Sequence, residues 1–133
     1  MTSTRESSFL RRALIADAAI TGSTALALAA GAAILEGPLG LPANLLRGAG
    51  LSLLPFTAFL IFLLRRDPLP RGAAWFVVIC NAVWAVDSLL LLFTNWVDPT
   101  LLGQAFVVFQ ALIVAAFAEA QYVGLRRSAP ATA

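Results

Sequence analysis

The chain has 133 residues, of which 60% are hydrophobic and 12% are charged, and its mean hydropathy is +0.88. A soluble domain is about 45–50% apolar and about 25% charged, so this composition excludes an ordinary soluble fold, a disordered chain and a disulfide-stabilised secreted domain. One cysteine and no histidine leave the usual metal and haem ligand sets incomplete. We therefore expect no metal site and no cofactor.

Four segments are long and apolar enough to cross a bilayer, which takes about 20 residues per helix. They are residues 13–35, 45–64, 73–93 and 100–123. Proline-containing segments at 37–42, 67–70 and 95–99 separate them, and proline ends or begins a helix. The apolar runs are too long for strands and do not alternate with period two. We predict an all-α integral membrane four-helix bundle that forms a single domain over residues 1–133.

The arginines predict the orientation of these spans. One arginine, Arg47, lies on one side of the predicted bundle, and eight lie on the other: Arg5, Arg11, Arg12, Arg65, Arg66, Arg71, Arg126 and Arg127. The positive-inside rule then places both termini and the middle loop in the cytoplasm, as two in-out-in hairpins. The use of arginine without lysine favours a bacterial source, and hence the inner (plasma) membrane. A cleaved signal peptide at 13–35 is disfavoured, because signal h-regions are about 7–15 residues long and this run contains Asp17.

The two hairpins share a local pattern. Residues 42–46, ahead of span two, are similar to residues 99–102, ahead of span four, and both spans end on Leu-Arg-Arg. An internal duplication, as some transporters have, would produce this pattern. Convergence would too, and we favour it, because proline before a span and arginine after it are typical of outside-to-inside helices.

Polar residues near the midplane are the first candidate site. Asn81 and Gln110 lie ten to eleven residues, about 15 Å, from the ends of their spans. Trp84 shares a helix face with Asn81. One interpretation is interhelical hydrogen bonding, worth about 0.6 kcal/mol on average. The other is a polar cavity that holds a ligand. The first is favoured, because one amide per helix is common in packing.

Carboxylates inside the spans are rarer and more costly. Asp17 and Glu119 lie in the cytoplasmic third, where they either pair with arginine at the interface or form a proton- or cation-binding site. Asp87 lies in the outer half of span three, and Arg47 lies at nearly the same depth in span two. We predict that Arg47 and Asp87 form an ion pair.

Three functions remain open. The first is a structural or accessory subunit that acts through helix–helix contact, and sequence alone ranks it first. The second is a small oligomeric ion-coupled transporter or channel. The third is a binder of a lipid or apolar small molecule beside Pro55, which an opening lined by Phe and Leu would favour. We expect no enzyme activity and no nucleic-acid partner. The expected partners are membrane lipids and either a second copy of the chain or a larger membrane complex.

Overall fold

The computed structural model describes the backbone of residues 2–128 and the side chains of residues 8–128. Its helices are α1 (Thr2–Leu39), α2 (Ala43–Leu64), α3 (Arg71–Leu91) and α4 (Leu101–Arg127). No strand occurs between residues 2 and 128. All four helices are long and apolar enough to cross a membrane. The predicted all-α fold with four apolar helices is confirmed, and it is consistent with a small membrane protein.

The first helix ends later than its hydrophobic pattern indicates. It runs past Pro38 to Leu39, and the turn comes at Gly40, which has a φ of 65°. The Gly40 N–H donates to the Glu36 carbonyl at 2.8 Å. This is the left-handed glycine that commonly terminates a helix. Pro38 therefore lies inside the last turn, and the glycine after it sets the boundary.

The helices pack in the spatial order α2, α1, α4, α3. α1 packs along both α2 and α4, and α4 also packs along α3. α2 and α3 pack together near their arginine-rich end, where the Phe59 and Phe76 rings meet edge to face at 5.5 Å. A Cβ on Gly50 would lie 2.5 Å from the Ala29 nitrogen and 2.7 Å from the Ala25 carbonyl oxygen. Small residues thus let α1 and α2 approach closely, as is common in membrane helices. Toward the other end, α2 and α3 diverge around a gap that residues of both helices line.

Two apolar clusters lie toward opposite ends of the helices. One contains Leu14, Leu60, Val77 and Leu125, and the other is formed by Leu28, Ala32, Leu39, Leu41, Leu46 and Val107. Between the two clusters, the interior contains first a group of buried polar side chains and then, farther along the helices, open cavities. Both features contribute to the candidate site.

Candidate functional site: a polar cluster below a lateral groove

Asp17 is the centre of a buried polar cluster. It is 0% exposed, and its carboxylate accepts hydrogen bonds from three neutral side chains. The Thr21 hydroxyl donates to Oδ1 at 2.7 Å, and the amides of Asn81 and Gln121 donate to Oδ2 at 2.7 and 2.8 Å. Asn81 also donates to the Gln121 Oε1 at 3.0 Å. The cluster therefore connects α1, α3 and α4 through one carboxyl group.

Each buried polar atom of the cluster is hydrogen-bonded. No buried side-chain nitrogen or oxygen among the described residues lacks a hydrogen-bond partner. Such a network in a low-dielectric interior fixes the rotation of the helices that contribute to it, because a slip would break its hydrogen bonds. Its first role is therefore to hold three helices in register.

Sequence reasoning does not single out Gln121 as a site residue. The available signal is its spacing from Gln110, eleven residues or about three turns, which places both amides on one face of α4. Spacing does not reveal that this face meets Asp17 of α1.

A second polar contact lies above the cluster. The Trp84 indole N–H donates to the Gln110 Oε1 at 3.0 Å, and the Gln110 amide donates to the Val107 carbonyl at 2.9 Å. Ser88 donates to the Trp84 carbonyl at 2.7 Å. The pair joins α3 to α4 and leaves one hydrogen of the Gln110 amide without a partner in these contacts.

Two adjoining cavities fill the space beside this pair. The outer cavity lies nearer Leu41 and Trp96 and has a volume of about 600 Å³. The inner cavity lies nearer Asn81 and the polar cluster and has a volume of about 490 Å³. Each is lined by residues of all four helices. The residues that line both are Thr24, Leu53, Trp84, Phe106 and Gln110. We call the two cavities together the lateral groove, because they follow the gap between α2 and α3.

The groove is apolar along most of its length. The inner cavity contacts Phe56, next to Pro55, and three aromatic residues of α4, namely Phe106, Phe109 and Phe117. Its polar residues include Asn81 and Thr21, each of which is hydrogen-bonded to Asp17. Asp17 itself does not line either cavity. The groove therefore ends against the polar cluster without reaching its carboxylate.

The predicted site residues divide into two groups. Asp17 and Asn81 meet in the cluster, and Trp84 and Gln110 meet in the groove. The other predicted residues, Glu119, Asp87 and Arg47, are exposed.

Two predicted associations are absent from the structure. Glu119 lies on the outer surface of α4, so it does not share a site with the buried Asp17. Asp87 lines the outer cavity, and no ion pair joins it to Arg47 among the side chains of residues 8–128. The reason is that the outer cavity lies between the two helices at this level, where Leu46 and Ala49 of α2 line it together with Asp87 of α3.

The remaining chemistry of the described residues is limited. Between residues 8 and 128, no group of three Cys, Asp or Glu side chains could hold a metal ion. Cys80 is a free, half-buried thiol that lines the inner cavity. The arrangement thus offers an apolar space with a small number of fixed hydrogen-bonding groups. Comparisons with protein families, curated proteins and solved structures find no match to this chain.

Proposed function

We propose that the protein binds a lipid-like molecule with one acyl chain in the lateral groove. A carbonyl oxygen of this ligand accepts a hydrogen bond from Gln110. The observation that carries the proposal is the groove itself. Ligand sites in proteins are clefts of about 300–1,000 Å³, mostly apolar, with a few placed polar groups. Cavities of about 600 and about 490 Å³ that share a wall at Trp84 and Gln110 fit that description.

The polar anchor determines the class of ligand. Gln110 accepts from Trp84 and donates one amide hydrogen to the Val107 carbonyl, so its second amide hydrogen remains available as a donor at the groove wall. A donor in an apolar site selects a molecule with an acceptor, such as an ester or ketone carbonyl. An apolar body with one such group describes a monoacylglycerol or a similar membrane-soluble compound.

The route of entry is sideways. Because α2 and α3 pack together near one end and line cavities farther along, the groove opens between them toward the surface that would face lipid. Asp87, Thr94 and Trp96 line the outer cavity near the end of α3, where a polar head would lie close to the membrane surface. A ligand dissolved in the bilayer would therefore enter without crossing water.

The groove changes the ranking of the three functions. An opening lined by Phe and Leu beside Pro55 is the feature that favours a binder, and Leu53 and Phe56 provide it. An ion-coupled transporter draws support from the buried Asp17, but the carboxylate does not line the groove and three neutral donors already occupy it. A structural or accessory role accounts for the polar cluster but does not account for the groove.

The proposal includes an orientation in the bacterial inner membrane with both termini in the cytoplasm. It is supported by eight arginines on one side against one on the other. At the arginine-rich end, Arg11 and Arg71 donate to carbonyls at the ends of α2 and α4, so these two arginines also connect neighbouring helices there. The lateral groove would then open toward the outer leaflet.

Substituting the anchor tests the proposed function. In a Trp75→Phe/Trp96→Phe background, Trp84 is the only tryptophan and reports on the groove. We expect a monoacylglycerol with a brominated acyl chain to quench its fluorescence saturably in nanodiscs. Gln110→Leu removes the proposed hydrogen bond to the ligand, worth about 1 kcal/mol, so the apparent Kd is expected to rise about fivefold.

Two controls make this result specific. Gln104→Leu changes an exposed glutamine on the same helix and is expected to leave the Kd unchanged. A dibrominated alkane of equal length lacks the carbonyl, so Gln110→Leu is expected not to weaken its quenching. Quenching that rises linearly with probe concentration in every variant would contradict the proposed function.

A further inference from the structure

A third cavity lies at the arginine-rich end of the helices, opposite to the end at which the outer cavity lies. Its volume is about 310 Å³, and it is bounded by the start of α1, the α2–α3 loop and the start of α3. Arg11, Asp67 and Arg71 line it, together with Ser8 and Ser128. Arg71 is ten residues, about 15 Å, from Asn81 along α3, so this cavity is distinct from the groove.

Both guanidinium groups are held in place by helix ends. Arg11 donates to the carbonyls of Leu64 at 2.6 Å and Arg66 at 3.0 Å, at the end of α2. Arg71 donates to the carbonyls of Leu125 at 2.8 Å and Ser128 at 3.2 Å, at the end of α4. A guanidinium carries five N–H groups, so each arginine keeps donors for a ligand. These contacts fix the position of each guanidinium before a ligand binds.

Asp67 adds the opposite charge to the same cavity. Among the described side chains, the two guanidiniums donate to helix-end oxygens and not to this carboxylate. Each helix C-terminus also carries about half a negative charge. The charges around the cavity therefore nearly cancel, since two positive arginines face two partly negative helix ends and the negative Asp67. A cavity that is neutral overall but has separated charges matches a zwitterion better than a simple anion.

We propose that this cavity binds the phosphoethanolamine headgroup of a phospholipid. The phosphate accepts from Arg11 and Arg71, and the ammonium group donates to Asp67, in charge-assisted hydrogen bonds. Leu10 and Leu69 line the cavity as well and provide an apolar wall for the glycerol end of the lipid. A choline headgroup has no N–H to donate, and a glycerol headgroup has no positive charge, so neither can form the charge-assisted N–H hydrogen bond with Asp67.

The test uses the full-length protein in nanodiscs that contain equal amounts of phosphatidylethanolamine, phosphatidylglycerol and phosphatidylcholine. Native mass spectrometry then measures which lipids stay bound after release into detergent. We expect the wild-type protein to retain phosphatidylethanolamine preferentially. Asp67→Asn is expected to lower the ratio of bound phosphatidylethanolamine to phosphatidylglycerol at least about fivefold. Asp98→Asn, an exposed aspartate in the α3–α4 loop, is expected to leave that ratio unchanged.

Several results would overturn the proposal. They are equal retention of the three lipids by the wild-type protein, an unchanged ratio in Asp67→Asn, and an equal shift in Asp98→Asn. Millimolar phosphorylethanolamine, which lacks acyl chains, is added in a separate arm. We expect it not to displace the lipid, and complete displacement would identify a soluble zwitterion as the ligand instead. All readouts are independent of Trp84, so they do not depend on the lateral groove.

Discussion

Gly50→Ala is expected to lower the free energy of unfolding by about 1–3 kcal/mol, the usual cost of overpacking a close contact. The added Cβ would lie 2.5 and 2.7 Å from main-chain atoms of Ala29 and Ala25. Main-chain atoms cannot rotate away as a side chain does. α1 and α2 would therefore have to separate, and the helix contact that forms one side of the groove would weaken.

Gly48 provides a matched control two residues earlier in α2. A Cβ there meets nothing within 4 Å, and the residue is exposed. Gly48→Ala is expected to be neutral or to stabilise the protein by about 0.5–1 kcal/mol, since alanine favours helix over glycine. Equilibrium unfolding in mixed micelles of SDS and a mild detergent measures both variants. Equal stability of the two would show that α1 and α2 do not pack through Gly50.

Asp17→Leu is the second substitution with a large expected effect. Leucine has the same branching as aspartate but is larger and has no acceptor, so the buried amides of Asn81 and Gln121 each lose the carboxylate oxygen to which they donate. An unpaired buried polar group costs about 1–3 kcal/mol, and we expect a total loss of about 2–4 kcal/mol in the free energy of unfolding.

Asp17→Asn is the matched control. The asparagine oxygen can accept from both amides, and its NH₂ group can donate to the Thr21 hydroxyl, which both donates and accepts. We expect most of the stability to be kept. The same unfolding measurement compares the two variants. A loss in Asp17→Asn as large as that in Asp17→Leu would mean that the negative charge, rather than the hydrogen-bond geometry, holds the three helices together.

The helices were largely predictable from the sequence. Apolar runs of twenty residues interrupted by proline leave few alternatives in a chain with so few charges. The ends were less certain. The helix that contains Asp17 continues to Leu39 because Gly40 adopts a left-handed conformation, and sequence alone does not show which residue of a Gly-Pro-Leu-Gly segment will turn.

The site was predictable only in part. Counting residues from a helix end predicts Asn81 and Gln110 near the midplane and Asp17 nearer the cytoplasmic end, yet Asn81 and Asp17 are hydrogen-bonded to each other. Depth does not determine rotation or lateral position. Asp17 and Glu119 are both carboxylates near the same end, yet the first is buried and the second is exposed. Arg47 and Asp87, predicted at similar depth, lie on helices that are separated by the outer cavity at that level. The groove arises because α2 and α3 pack together only near one end, which no local pattern encodes.

Photo-crosslinking shows directly whether a ligand binds in the lateral groove. The probe is a monoacylglycerol with a diazirine in its acyl chain, incorporated at low density into nanodiscs, and labelled residues are mapped by mass spectrometry. We expect saturable labelling concentrated on groove residues such as Leu53, Phe106 and Ile113, suppressed by excess unlabelled monoacylglycerol. Labelling spread evenly over outward-facing residues such as Leu26 and Leu112, and unchanged by the competitor, would contradict binding in the lateral groove.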